Sequence, residues 1–358
     1  MTDGEAQTVG APTIHAVEFR GRGAEYFRIW IVNVALTLLT LGIYSAWAKV
    51  RTQRYFYGNT YLDGHSFEYH GKAWRILIGR VIALALLLGY SASVLFVPPS
   101  FALWVLIAGA ALPWLANASI RFNARNTSWR NVHFNFHATY FEAFIAYVVW
   151  SAAALTLFPL IPLARRVHDY FYINHHRFGG HAFKTEFRAG RVYAIYLFGF
   201  VLIVGILLAV VALIAGLTVL ATRLHNQIGN IAIPVGADDV EVVFLLFVGL
   251  GAALVTNFVT TLVTNLSIGS TVLEGGFKLA SRASGVTVAW IAVTNLLLTL
   301  ATLGLFHPFA RIRLARYRMA KYAVIATGDI DAFTSEALDE QSAIGQEIAG
   351  VFDFGFGL

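Results

Sequence analysis

Apolar positions along this chain come in long unbroken runs, not in the three-and-four spacing of a helix with one wet face. Ile76–Val97, Phe101–Ala118, Val192–Thr222 and Val242–Leu266 are each about as long as a helix must be to cross roughly 30 Å of hydrocarbon. Arg80 is the only charge inside them, and it lies near one end, where a long side chain can reach the interface. The four runs form two hairpins. One turns at Pro98-Pro99-Ser100, the other through the acidic Gly236-Ala237-Asp238-Asp239.

Three more apolar runs, Ile29–Ala48, Phe144–Ala164 and Val286–Phe309, are interrupted near their middles by glycine or proline, which ends one helix and starts another. The first and third are copies at a single offset. Asn33 matches Asn295, Thr37 matches Thr299, and Thr40-Leu41-Gly42 matches Thr302-Leu303-Gly304. Ala48-Lys49-Val50-Arg51 matches Ala310-Arg311-Ile312-Arg313, and Arg54-Tyr55 matches Arg316-Tyr317. The middle run is a looser relative, with Pro159 and Pro162 before Arg165-Arg166.

Between the apolar runs the polar stretches alternate with a period of two. Asn59 to Tyr69 alternates around Asp63-Gly64, a hairpin signal because that turn needs positive φ. Related strings recur at 126–136, 175–183 and 271–277, and a half-copy, Val17-Glu18-Phe19-Arg20-Gly21, precedes the first membrane unit. A lone hairpin is marginal in water, so these strands are expected to join in one sheet or small barrel. The expected fold class is an integral membrane protein, mainly α-helical, with internal repeats. It has four full transmembrane helices in two hairpins, three broken or re-entrant segments, and a cytoplasmic layer of short β-hairpins. By domain, 1–16 is read as a disordered N-terminus, 17–333 as one membrane domain, and 334–358 as an acidic tail.

Composition agrees: 58% of the 358 residues are hydrophobic, 13% are charged, and the mean hydropathy is +0.65, too apolar for a soluble chain with ordinary cores. The start, MTDGEAQ, has no basic segment before an apolar stretch, so no cleavable signal peptide is expected. Charge adds the orientation. If the three broken segments dip in and return, 24 of the 26 Lys and Arg fall on one side and one on the other; if all seven segments cross, the bias vanishes. Basic loops mark the cytoplasmic face, so both termini are expected there. The net charge of +6 is assigned to that face and not to nucleic-acid binding. The absence of cysteine removes disulfides and thiolate chemistry.

The strings FRGRGAEYFRIW, TLGIYSAWAKVRTQRYFYGNTYLDGHSFEYHG and TLGLFHPFARIRLARYR resemble the YjgN family of bacterial inner-membrane proteins, also called DUF898. The resemblance covers about residues 17–333 and implies an inner-membrane location. It brings no activity, substrate or cofactor with it. The second copy departs from the first in having His307-Pro308-Phe309 where the first has Ser45-Ala46-Trp47.

None of the four long runs contains Asp or Glu, and there is no HExxH, which argues against proton-coupled transport and an embedded metalloprotease. No enzyme activity, cofactor or metal is expected, and the histidines are read as solvated strand positions. The polar groups at membrane depth are amides and hydroxyls: Asn33, Thr37, Thr40, Asn295, Thr299, Thr302, Asn257 and Asn265. They can line a path for a small solute around the repeat centre or serve interhelical packing. Lys49, Arg51, Arg54, Arg165, Arg166, Arg311, Arg313 and Arg316 flank the apolar runs and are candidates for anionic lipid headgroups. The expected function is transport or channel-like passage of a small solute on paired re-entrant segments. The alternative is a non-catalytic scaffold or lipid-binding partner protein that docks through its β-layer. The acids from Asp329 to Asp353 are expected to draw the tail to the basic face, with 351–356 covering a sheet edge or adding a strand; plain disorder of the tail is the competing reading.

Overall fold

The computed structural model describes residues 12–228 and 237–352. Ten strands alternate in pairs with helices. In chain order they are β1 Thr13–Phe19, β2 Thr60–Leu62, β3 His65–Tyr69, β4 Thr127–Trp129, β5 Val132–Phe136, β6 His176–Phe178, β7 His181–Thr185, β8 Thr271–Leu273, β9 Phe277–Ser281 and β10 Tyr322–Ala326. The helices are α1 Gly23–Leu39, α2 Ser45–Gly58, α3 Ala73–Phe96, α4 Ser100–Arg125, α5 Tyr140–Thr156, α6 Ile161–Asn174, α7 Ala189–Ile228, α8 Ala237–Gly269, α9 Gly285–Ala301, α10 His307–Met319 and α11 Ile330–Phe352. A π-helical turn at Ile145–Val149 interrupts α5.

The expectation of a helical membrane fold carrying a layer of short hairpins is corrected here. The strands close on one another as a single antiparallel barrel, β1-β10-β9-β8-β7-β6-β5-β4-β3-β2. An open hairpin leaves a row of unpaired N–H and C=O groups on each edge. Each hairpin here gives its outer edges to the next, for example Tyr69 opposite Thr127 and Thr185 opposite Thr271. The half-copy is not incomplete. β1 is completed by β10 from the far end of the chain, Thr13 opposite Ala326 and Ala16 opposite Ala323, so the barrel is a fivefold repeat whose fifth hairpin is split between the two ends of the sequence.

Each unit is a helix, two strands and a helix. At one equivalent position in all five, the incoming helix bonds the backbone where the outgoing strand ends. Arg54 donates to Tyr69 O (3.4 Å), Arg121 to Phe136 O (3.3 Å), Tyr170 Oη to Phe187 O (2.9 Å), Asn265 Nδ2 to Ala283 O (2.7 Å) and Arg316 to Gly21 O (3.0 Å). Tyr69 and Phe136 are the last residues of their strands, and Phe187, Ala283 and Gly21 lie two residues beyond theirs, so all five carbonyls sit where the ladder ends, and a buried unpaired carbonyl is costly.

Four helices, spanning Ala73–Phe96, Ser100–Arg125, Ala189–Leu224 and Val240–Gly269, are long and apolar enough to cross a membrane. The three broken segments all leave the barrel and return to it: β1 to β2 through α1 and α2, β5 to β6 through α5 and α6, and β9 to β10 through α9 and α10. The break in α1–α2 is a Schellman motif, with Gly42 N donating to Thr37 O (2.7 Å) and Leu41 N to Leu38 O (3.2 Å). Its copy has Gly304 N on Thr299 O (2.7 Å) and Leu303 N on Leu300 O (3.1 Å). A leucine and the glycine after it both take positive φ at each break: Leu41 and Leu303 sit at φ 50, Gly42 at 93 and Gly304 at 92, and both leucines are 95% exposed.

β1 begins at Thr13, inside the stretch read as a disordered N-terminus; residues 1–11 lie outside the described residues. So do Gly236 of the expected acidic turn and Asp353–Phe356 of the tail segment. The described part of the acidic tail adds no strand. Ile330–Phe352 is helical, and Ile330, Phe333 and Ala337 are buried against the barrel.

Candidate functional site

The barrel interior follows from the period of two, which sends alternate side chains inward. Leu62, Trp129, Val132, Phe178, Leu273, Phe277 and Ala326 form its buried core, joined by Phe67, Phe134, Phe183 and Val324. Their neighbours along the strands, such as Glu18, Glu68, Asn135 and Lys184, are partly or fully exposed. The inward rings touch in sequence, Phe67 to Phe134 (centroids 6.4 Å), Phe134 to Phe178 (5.0 Å) and Phe134 to Phe183 (6.4 Å).

The turn end of the barrel is closed by α11. Phe333 packs on Phe277 (4.3 Å) and Phe178 (6.1 Å), Arg130 pairs with Asp331, and Gln341 Oε1 accepts from His133 N (2.8 Å). Burying a phenyl ring of this kind contributes about 2–3 kcal/mol.

The lumen is not filled. An apolar cavity of about 280 Å³ lies between the strands, bounded by Trp129, Phe178 and Phe333 at the closed end and by Phe67, Phe134, Phe183, Ile268 and Leu279 at the other. Those last five residues also line a second cavity of about 340 Å³ at the helix-facing mouth. Its remaining walls come from the ends of α2 (Tyr57), α4 (Ile120, Asn123, Ala124) and α6 (Tyr172, Ile173) and from the first strand residues Thr127, His176 and Thr271. The two cavities therefore adjoin along the barrel axis. Apart from Tyr322 and Trp129 in the cavity between the strands, the polar lining residues belong to the cavity at the mouth. Asn123 Oδ1 is buried without a hydrogen-bond partner, and His176, whose Nδ1 meets Tyr172 O, is held by burial below its usual pKa. It is therefore a neutral imidazole at pH 7, with Nδ1 protonated by that bond and Nε2 left as an acceptor.

The amides and threonines singled out in the sequence are not gathered at one place. Asn33 is 5% exposed and lines an open cleft of about 500 Å³ among α1, α2 and α10, with Thr37, Lys49, His307 and Arg311; its Oδ1 has no hydrogen-bond partner. Asn295 lies outside that cleft. It donates to Ala310 O (3.1 Å) and accepts from Arg313 (3.3 Å). The threonines brace the helix breaks: Thr37 donates to Asn33 O (2.6 Å), Thr299 to Asn295 O (2.6 Å), Thr40 to Leu36 O (2.7 Å) and Thr302 to Leu298 O (2.7 Å). Asn257 donates to Ala253 O within its own helix (2.9 Å), and Asn265 ties α8 to the end of β9.

Six of the eight candidate headgroup residues already have protein partners. Arg54 and Arg316 bond strand-end carbonyls, Arg165 pairs with Asp169 (3.1 Å), and Arg166 bonds Phe187 O (3.0 Å) while lying over Tyr170. Arg311 bonds Tyr26 Oη (2.8 Å) and Arg313 bonds Thr294 Oγ1 (2.8 Å). Lys49 and Arg51 are exposed and make no ion pair among the described residues.

Residues 14–351 match the family of bacterial proteins of unknown function designated DUF898. The chain belongs to the DUF898 family. Among its relatives is the inner membrane protein YjgN of Salmonella typhimurium strain LT2, 24% identical over 360 residues, which is 89% of this chain and 90% of the relative. The proteins of the same name from Escherichia coli O157:H7 and strain K12 are 32% and 33% identical over 129 residues, 35% of this chain and 32% of each relative. No solved structure matches. With four helices long and apolar enough to span and relatives named as inner membrane proteins, this DUF898 chain is a membrane protein.

The sequence reading missed the lumen and Asn123. The signal was present in Val132-His133-Phe134-Asn135-Phe136, whose apolar side is too large and aromatic for a lone hairpin and needs an enclosed interior.

Proposed function

We propose that this protein binds the apolar chain of a membrane lipid or similar amphiphile in its barrel, without catalysis. The observation that carries this reading is the pair of adjoining cavities, sealed by α11 at one end and bounded at the other by helices that lead into the membrane. Ligand sites of several hundred Å³ with mostly apolar walls and a few placed polar groups are the usual form of small-molecule pockets. The ligand's polar end then belongs at the mouth, where a hydrogen-bond donor satisfies Asn123 Oδ1 and an acyl chain lies among Phe67, Phe134 and Phe183.

In this arrangement the barrel faces the cytoplasm, following its excess of Lys and Arg, and both chain ends lie on that side. The helix breaks dip into the inner membrane, which is the solvent suited to the exposed, strained Leu41 and Leu303. Lys49 and Arg51 supply the contact with anionic headgroups.

The test is titration of the detergent-purified full chain with cis-parinaryl alcohol, a fluorescent fatty alcohol whose hydroxyl can donate to Asn123 Oδ1, together with mass spectrometry of co-purifying lipids. One alcohol per chain is expected, with binding weakened at least tenfold by Ile268→Trp or Leu279→Trp, which fill the junction between the cavities. Saturable binding that survives both fillings, or none at all, would overturn the reading.

A second reading, passage of a small solute along the α1–α2–α10 cleft, rests on Asn33 Oδ1, a buried acceptor with no partner. It predicts solute flux in liposomes that Asn33→Leu abolishes. The absence of flux in both wild type and variant would remove it.

A further inference from the structure

We propose that His181, Glu336 and Glu340 form a divalent transition-metal site that latches α11 onto the barrel. The site stands whether or not the lumen takes a lipid chain. Each of the three residues offers one ligand atom, and these atoms lie within 4.8 Å of one another. His181 opens β7, directly after the Gly179-Gly180 turn, and Glu336 and Glu340 are one helical turn apart on the same face of α11.

Three features point to a cation. His181 Nε2 is buried and has no hydrogen-bond partner. Glu340 Oε2 is 3.8 Å away, too far for a hydrogen bond but close to the separation of two ligands on one metal whose bonds are about 2.0–2.2 Å. Glu336 and Glu340 are like charges at i and i+4, which repel, and among the described residues neither pairs with Lys or Arg.

The turn is built for this approach. Gly179 is at φ +58, and a Cβ there would lie 2.9 Å from Ala337 O; at Gly180 the space of a Cβ is taken by the Glu340 carboxylate. Two glycines thus let α11 lie flush against the hairpin and bring both carboxylates to the imidazole. Both glutamates are exposed, so small rotations can draw them the remaining distance.

One imidazole and two carboxylates form a nitrogen–oxygen set suited to Zn²⁺, Mn²⁺ or Fe²⁺, whereas Ca²⁺ and Mg²⁺ favour all-oxygen sites. The bound ion would join the β6–β7 turn to the helix that carries Phe333 into the lumen, so that metal binding holds the closed end shut. A plain ion pair between protonated His181 and Glu340 is the competing account, and it binds no metal.

The deciding experiment uses the full chain, tag-free, in detergent, stripped with EDTA and titrated with Co²⁺. One Co²⁺ per chain is expected, giving a visible absorption band that Zn²⁺ displaces, with affinity at least tenfold weaker in E336Q and in E340Q. Both are exposed, isosteric changes that leave the fold intact, so the test does not depend on H181N folding. Zn²⁺ is also expected to slow proteolysis within 334–352 in the wild type and to have no such effect in the E336Q/E340Q double variant. No saturable binding, binding unchanged in the double variant, or binding without protection of α11 would each overturn the proposal.

Discussion

The helix pairs α1–α2 and α9–α10 share one motif yet treat its central amide in opposite ways. Asn295 is fully used, donating to Ala310 O and accepting from Arg313, which is itself held by Thr294 Oγ1. In the first pair Ala48 and Arg51 stand at the equivalent positions, but Asn33 Oδ1 is left alone beside an open cleft. One difference lies next to it: Val32 occupies the place of Thr294 and has no hydroxyl to offer Arg51, which is exposed. The repeated sequence preserves the backbone break, with Leu41 and Leu303 both at φ 50, while the repeated amide is bonded in one copy and left with an unpaired oxygen in the other.

The largest expected effect bears on what the copies share. If both tips sit in lipid, Leu41→Asp and Leu303→Asp should each destabilise the protein by about 3 kcal/mol in bilayers, measured by SDS titration in bicelles. A loss at one tip only would break the symmetry of the pairs. Next comes the amide itself. Asn295→Leu strands Ala310 O and Arg313 and should cost about 1–3 kcal/mol, whereas Asn33→Leu, with no bond to lose at Oδ1, should cost no more than about 0.6 kcal/mol. Equal losses in thermal unfolding would show that the two sites do not differ. The smallest effect is a conversion: Val32→Thr should recruit Arg51 to Asn33 and stabilise the protein by about 0.5–1 kcal/mol, and Arg51→Gln in that background should cancel the gain.

Local chemistry was readable from the chain alone wherever neighbours in sequence decide the outcome. The four long apolar helices, the breaks at Thr40-Leu41-Gly42 and Thr302-Leu303-Gly304, and the positive-φ turn at Asp63-Gly64 all follow from run length, glycine placement and a period of two. The half-copy at Val17–Gly21 was visible too, but not its completion. β1 pairs with β10 across almost the whole chain, and nothing local in Tyr322–Ala326 says which edge it must cover.

The candidate site was hidden for the same reason. Phe67, Phe134, Phe183 and Leu279 come from four different hairpins, and they become one lumen only because closing the barrel removes every strand edge and turns one face of each hairpin inward. Of the arginines read as headgroup candidates, Arg54 and Arg316 bond the strand-end carbonyls Tyr69 O and Gly21 O, contacts that exist only once helices and strands are packed. Hydrophobic runs and turn residues thus determined that this chain is a membrane protein built from repeats. The barrel, its cavities and the different fates of Asn33 and Asn295 were decided by tertiary structure, because they depend on which distant groups remain to be paired after the edges close.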